Sequence, residues 1–185
     1  EGVTTIERQV FTNCSSLESV TLPNTLKSIK NQAFYSCESL DSIQIPNSLT
    51  NIGSSAFGFC RSLSSISIPN TIDSIKAGTF NYCTNLKSVE LPESITSIGH
   101  IAFQNCNSLT SITIPKNVTS IGNRAFENCE NLSEVINFSD LDIKKGGTNH
   151  GYVAYYAKKV IKADDQIGDY YFYTAEDNTH YLQHY

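Results

Sequence analysis

The sequence predicts a solenoid of stacked coils, 23 residues to the turn. Three residue types carry that reading. Cysteines fall at 14, 37, 60, 83, 106 and 129, and prolines at 23, 46, 69, 92 and 115. Phenylalanines at 11, 34, 57, 80, 103 and 126 keep the same step. A fixed period of roughly 20–50 residues marks units that cannot bury their apolar face alone and stack in order to do so. The hydrophobic content of 39% suits such a stack, in which each coil buries one inner row and exposes the rest.

One unit, Leu40–Leu63, shows how a coil is built. Leu40-x-x-Ile43-x-Ile45 ends in alternation, a strand signal. Pro46 stops that ladder because it has no N–H to give. Leu49-x-x-Ile52 reads as a second, short extended piece. Ser54–Cys60 reads as a helical or 3₁₀ turn, with Ala56, Phe57 and Cys60 at i, i+1 and i+4. Gly53, Gly99 and Gly122 share one place in the coil, but Lys30 and Lys76 occupy it elsewhere, so a positive φ is not expected there. The row Val10, Ala33, Ala56, Thr79, Ala102, Ala125 stays small, as close approach of neighbouring turns requires. Parallel strands about 4.8 Å apart give six coils an array roughly 30 Å long, in which identical residues stack into ladders.

The unit L-x-x-I-x-I-P-x-x-L-T-x-I-G-x-x-A-F-x-x-C, read at Leu40–Cys60, resembles the leucine-rich repeat of the treponemal, BspA-like class. The resemblance covers residues 3–136. It implies a right-handed leucine-rich repeat solenoid, with a parallel β-sheet on the concave face and short helical or 3₁₀ turns on the convex face. It also implies a bacterial or protist surface protein acting in adhesion and host contact, and hence an extracellular or cell-surface location. The chain opens in mid-repeat, since Val3-Thr4-Thr5-Ile6 matches Leu49-Thr50-Asn51-Ile52. A fragment of a longer array is the expectation.

The pattern fails at Asn137-Phe138, where Pro, Phe and Cys would be due at 138, 149 and 152. The sequence therefore divides into a solenoid over 1–140 and a capping or linker segment over 141–185. In the second, Lys144–Asn149 reads as a loop. Val153, Tyr156, Ala157, Val160 and Ile161 repeat at i, i+3, i+4, i+7 and i+8, predicting a helix over about 151–162. Two strand-like runs predict a β-hairpin over about 169–183. Together they would cover the open edge of the last coil. Eight of the ten tyrosines lie in this tail, either packing the cap or forming a contact surface.

The function classes narrow accordingly. Net charge is −5 with no Lys/Arg cluster, which argues against nucleic acid. No apolar run approaches the ~18–20 residues of a membrane span. Each cysteine holds the same place in its coil, so the even count follows the repeat number. Free, buried thiols are the main reading, with disulfides or a metal as alternatives. No C-x-x-C, G-x-S-x-G, P-loop or H-E-x-x-H motif occurs. No enzyme, cofactor or metal site is expected; His180 and His184, at i and i+4, read as the polar end of the tail, with a metal pair as the alternative.

Binding is the natural use of a solenoid. The strands should display Ser42, Gln44, Ser65, Ser67, Ser88, Glu90, Ser111 and Thr113 outward. That row is either a solvated face kept polar for solubility or a contact face offering many hydrogen bonds. Tyr35, Phe59 and Tyr82 sit beside successive turns and either form an aromatic contact strip or pack between coils. The expected function is a non-enzymatic protein-binding module, an adhesin-like fragment engaging a host or extracellular-matrix protein. The alternative is a structural spacer with no ligand of its own. No residue commits the chain to an oligomeric state.

Overall fold

The computed structural model describes residues 2–167, 170–174 and 180–184, with side chains through Lys162. In chain order the strands are β1 (Thr5–Ile6), β2 (Ser28–Ile29), β3 (Asn51–Ile52), β4 (Ser65–Ser67), β5 (Ser74–Ile75), β6 (Ser88–Glu90) and β7 (Ser97–Ile98). They continue with β8 (Ser111–Ile114), β9 (Ser120–Ile121), β10 (Glu134–Asn137), β11 (Lys159–Ile167), β12 (Tyr170–Thr174) and β13 (His180–His184). The chain winds a parallel-strand solenoid of about seven turns. One wall holds the two-residue ladders β1-β2-β3 and β5-β7-β9; the other holds β4-β6 and β8-β10-β11-β12-β13. Partners lie one period apart, as in Ser65↔Ser88 and Ile98↔Ile121.

Backbone hydrogen bonding explains the fixed step. Around the two-residue strands, N–H groups donate to the preceding coil: Thr50 N to Lys27 O at 2.9 Å, Gly53 N to Ile29 O at 2.8 Å. In the turn half they donate to the following coil: Phe34 N to Ala56 O at 2.8 Å, Phe57 N to Thr79 O at 2.9 Å. Between these, alternate residues close three-residue turns, as Gly58 N to Ser55 O and Cys60 N to Phe57 O. The helical or 3₁₀ segment expected over Ser54–Cys60 therefore does not form. Every second N–H leaves for the next coil, so i→i−3 bonds never run consecutively.

That alternation forces two left-handed residues into each coil. One row is Gln9, Gln32, Ser55, Gly78, Ile101 and Arg124; the other is Asn13, Ser36, Phe59, Tyr82, Asn105 and Asn128. Gly53, Gly99 and Gly122 have no positive φ; a Cβ at any of them would press into the backbone of the preceding coil.

The core is a set of ladders. Phe34, Phe57, Phe80, Phe103 and Phe126 are wholly buried, and neighbouring rings, Phe11 included, stack at 5.1–5.7 Å between centroids. Burial of each contributes about 1.5–3 kcal/mol. Beside them, each thiol from Cys37 to Cys129 donates to the Phe carbonyl 26 residues earlier, at 3.1–3.2 Å. Thr79, in the small row, turns its hydroxyl to Lys76 O at 2.8 Å, so its burial leaves no polar group unmet.

The seventh coil departs from the pattern. Asn137 takes the inward place of Ile114 and bonds Ser139 N, Ser139 Oγ and Leu141 O, turning the chain without proline. The ladder then continues past residue 140: Phe126 N donates to Gly151 O and Lys158 N to Ser133 O, both at 2.7 Å. The helix expected over about 151–162 is not formed. A 3₁₀ turn occupies His150–Tyr152, and β11 begins at Lys159. The open edge of β10 demands a partner, and the β-branched pair Val160-Ile161 suits a strand. Backbone pairing over Glu134–Asn137, with a Glu134–Lys159 ion pair at 3.6 Å, overrides the helical periodicity. Gly151 is required here: its φ is +65°, and a Cβ would collide with Gly122 O. β12 pairs antiparallel with β11 and with β13, Phe172 opposite Leu182. The turn read at Ala175–Asn178 lies outside the described residues.

Two substitutions separate packing from strain. Phe80→Ala, removing the middle of the ring ladder, should cost about 3–5 kcal/mol in equilibrium denaturation. Ile101→Gly, copying Gly78, should stabilise by about 0.5–1 kcal/mol and raise Tm, because a β-branched residue at φ 49° is strained.

Candidate functional site

Period-two alternation on the wall of longer strands sets what is displayed. In β4 and β6, Ile66 and Val89 point to the core while Ser65, Ser67, Ser88 and Glu90 are exposed. Ser42 and Gln44 are exposed in the coil before, and Ser111 in the coil after; Thr113 is half-buried. Six of these eight, from Ser42 through Glu90, line one depression of about 560 Å³. Ile43, Ile45 and Ile66 lie beneath it, with Pro46 and Pro69 along one side. Ser111 and Thr113 share the wall but lie outside the depression.

Its polar groups are only partly engaged. Ser67 Oγ donates to Glu90 Oε2 at 3.2 Å, and Ser42 Oγ to Asp41 Oδ1 at 3.0 Å. The side chains of Gln44, Ser65 and Ser88 have no hydrogen-bond partner among the described residues. The backbone of Ser42–Ile45 makes no hydrogen bond to β4, although Ser64 N bonds Asp41 O just before it. Unpaired donors and acceptors thus face an open depression.

The aromatic strip is assembled differently. Phe59 and Tyr82 stack at 4.4 Å, and Tyr35 meets Phe59 at 5.2 Å with a 53° tilt. All three are half-buried, so the rings contact one another between coils. Gly58 makes room, since a Cβ there would lie 3.0 Å from the Tyr35 ring. Arg61 sits 5.4 Å over Phe59 and pairs with Glu38 at 3.8 Å. Phe59 and Tyr82 hold left-handed φ values of 62° and 59°, where other coils use Asn or Ser.

Sequence reading missed a second depression, of about 510 Å³, flanked by Lys87 and Lys158. Lys87 was visible at the entrance to its strand. Lys158 joins the same row only because the last coil is longer: Glu134 pairs with Lys159, 25 residues on.

Burial disfavours the nucleophilic thiolate at five of the six cysteines. All six are free, and five are buried. Burial pushes Cys37 up to about 11 and Cys83 and Cys129 to about 12, and drives Cys60 and Cys106 further in the same direction. Among the described residues no three His, Cys, Asp or Glu side chains converge as metal ligands. The side chains of His180 and His184 lie outside the described set.

Short parallel strands stacked at a 23-residue step, over ladders of Leu, Phe and Cys, define a leucine-rich repeat solenoid. The family model for the BspA type leucine rich repeat region matches residues 4–156 in six copies, and the chain belongs to that family. Such solenoids are generally non-enzymatic. A leucine rich cell surface protein from Faecalibacterium prausnitzii is 33% identical, with TM-score 0.72 over 96% of this chain and 42% of its own. The T. pallidum leucine rich repeat protein is 32% identical, with TM-score 0.62 over 64% of this chain and 58% of its own. A leucine-rich repeat protein from Bacteroides ovatus is 28% identical, with TM-score 0.61 over 85% of this chain and 46% of its own. The chain thus spans about half the length of these relatives, or less. No curated protein matches the sequence. Among the described residues no helix is long and apolar enough to cross a membrane.

The thiol ladder makes a direct prediction. In native protein at pH 8, a thiol-reactive dye should modify Cys14 alone, and denaturant should release the other five. A thiol whose pKa is raised by folding stabilises the fold fully below its unfolded value near 8.5 and progressively less as pH rises toward its folded value. Stability should therefore fall from about pH 9 upward through 11–12, and Cys83→Ala should flatten that fall in pH-dependent denaturation.

Proposed function

We propose that the chain is a non-enzymatic protein-binding module of a bacterial cell surface. In this reading it engages a host or extracellular-matrix protein through the serine-lined depression. One observation carries the reading: Ser42–Ile45 backbone groups and the side chains of Gln44, Ser65 and Ser88 stand unpaired around one open depression. An extended polypeptide lying there would satisfy them with many hydrogen bonds, each contributing about 0.5–1.5 kcal/mol. The surface location is supported by the description of the F. prausnitzii relative as a cell surface protein.

A second contact area is favoured by backbone strain. Phe59 and Tyr82 accept left-handed conformations that disfavour bulky residues, and such outliers collect at functional positions. Aromatic side chains and arginine are also the usual anchors of interfaces, and Arg61 completes the group.

The test is binding to a panel of immobilised extracellular-matrix proteins, with two variants whose fold is first verified by circular dichroism. Ser65→Arg/Ser88→Arg fills the depression with bulky charge; Tyr35→Ser/Phe59→Ser/Tyr82→Ser removes the strip. Saturable binding weakened at least tenfold by the arginine pair is the expected result. Binding that survives it and is lost with the serine triple would move the contact to the strip. Absence of binding to every member would favour a spacer that displays other segments.

A further inference from the structure

We infer that the second depression is a binding site for an acidic oligosaccharide, one carrying carboxylate or sulfate groups. It shares no lining residue with the serine-lined depression, which it adjoins at Lys87-Ser88, and it goes beyond the protein-binding reading. Four coils build it. Lys158 N bonds Ser133 O at 2.7 Å and Ser133 N bonds Thr110 O at 3.0 Å, so Lys158, Ser133 and Thr110 stand in one row with Lys87 at its far end. Three coil steps put the two lysine backbones about 14 Å apart.

The charges at the ends are available. Lys87 and Lys158 are exposed and have no ion-pair partner among the described residues. Lys144 and Lys159, by contrast, pair with Asp142 and Glu134. In a chain of net charge −5, two unpaired ammonium groups bracketing one depression form a local site for anions.

Apart from Glu130, the lining between them is uncharged and rich in hydroxyl and amide groups. Ser108, Thr110 and Ser133 supply hydroxyls, and Asn131 an amide whose Nδ2 is held by Asn107 O at 2.7 Å, leaving its oxygen to accept. Tyr156 adds a ring fixed at 89° against Tyr155, 4.9 Å away. Burial and then the neighbouring Glu130 raise the Tyr156 pKa, so its hydroxyl remains a donor. Glu130 is the single carboxylate in the lining and a natural acceptor for sugar hydroxyls.

This composition selects among anions. No aliphatic side chain lines the depression, so an acidic peptide would find no apolar anchor. A sugar ring would stack on the tyrosine, exchange hydrogen bonds with the hydroxyls, the Asn131 oxygen and Glu130, and present its acidic groups to the lysines. Two lysines about 14 Å apart call for more than one ring. The volume of about 510 Å³ lies within the range of roughly 300–1,000 Å³ of small-ligand sites.

The experiment is calorimetric titration of the full chain with four probes. They are a sulfated uronate tetrasaccharide, a carboxylate-only galacturonate tetrasaccharide, neutral maltotetraose and hexaglutamate. Saturable binding of at least one acidic tetrasaccharide, weakened about 10–100-fold by Lys87→Gln or Lys158→Gln, is the expected result. The two acidic arms distinguish sulfate from carboxylate recognition. Tyr156→Leu, with an unchanged circular dichroism spectrum, should weaken the same probe, and the neutral pair Ser42→Ala/Gln44→Ala, two coils away in the serine-lined depression, should leave it unaffected. The inference is overturned if maltotetraose or hexaglutamate binds as tightly, if neither lysine substitution matters, or if no acidic probe saturates below 10 mM.

Discussion

Each coil must meet both neighbours with backbone hydrogen bonds at one fixed step, and the rest of the structure follows from that requirement. A buried, unpaired N–H or C=O costs about 1–3 kcal/mol, so a coil cannot drift from its neighbours. The direction of donation reverses between the two-residue strands and the turn half, as Gly53 N to Ile29 O and Phe57 N to Thr79 O show. Each coil is therefore tied backward by one half and forward by the other. Side chains at one place in successive coils then meet in register. A carbonyl such as Phe57 O accepts both the Cys60 N–H and the Cys83 thiol. Cysteine suits this place because it is small and apolar yet carries a weak donor for a carbonyl that has a second lone pair.

The same ties explain why the turn half tolerates residues that would be unfavourable elsewhere. Ile101, Phe59 and Tyr82 are left-handed, at a cost of about 1–2 kcal/mol each. Their N–H groups donate to Asn123, Asn81 and Gln104 of the next coil. Adopting a relaxed φ would break that bond and disturb the stack on both sides. Asn81 shows the limit of accommodation: it is buried, and its Oδ1 has no partner among the described residues. The small place it fills beside Gly58 leaves no donor within reach.

What could be read from the sequence was whatever repeats. The rows of Phe, Cys and Leu gave the coil length, the stacking and the free thiols, and alternation around Ile66 and Val89 placed the serines outward. Local signals failed wherever a nonlocal bond decided the outcome. Ser54–Cys60 has the spacing of a helical turn, but half its N–H groups serve the next coil. Residues 151–162 have helical periodicity, but the edge of β10 captures Lys159–Lys162 as a strand. The left-handed rows carry almost no glycine signature; Gly78 is the one glycine among twelve positions. The Lys87–Lys158 row was hidden because it spans the one coil whose length differs.

Packing leaves only certain rows free to vary, and function has to be written there. The inward rows hold nearly one residue type from coil to coil, since any change disturbs a ladder. The outward places at the strand entrance run Asp41, Ser64, Lys87, Thr110, Ser133 and Lys158, passing from negative to positive along the stack. Those residues are set about 4.8 Å apart on a backbone that packing holds rigid, so their spacing is fixed without any contact between them. A surface of this kind recognises an extended ligand by the order of its charges and hydrogen-bonding groups along the axis. The acidic entrance at Asp41 and the basic ones at Lys87 and Lys158 are thus parts of one display. The coil step determines its geometry, and the residues exempt from packing determine its chemistry.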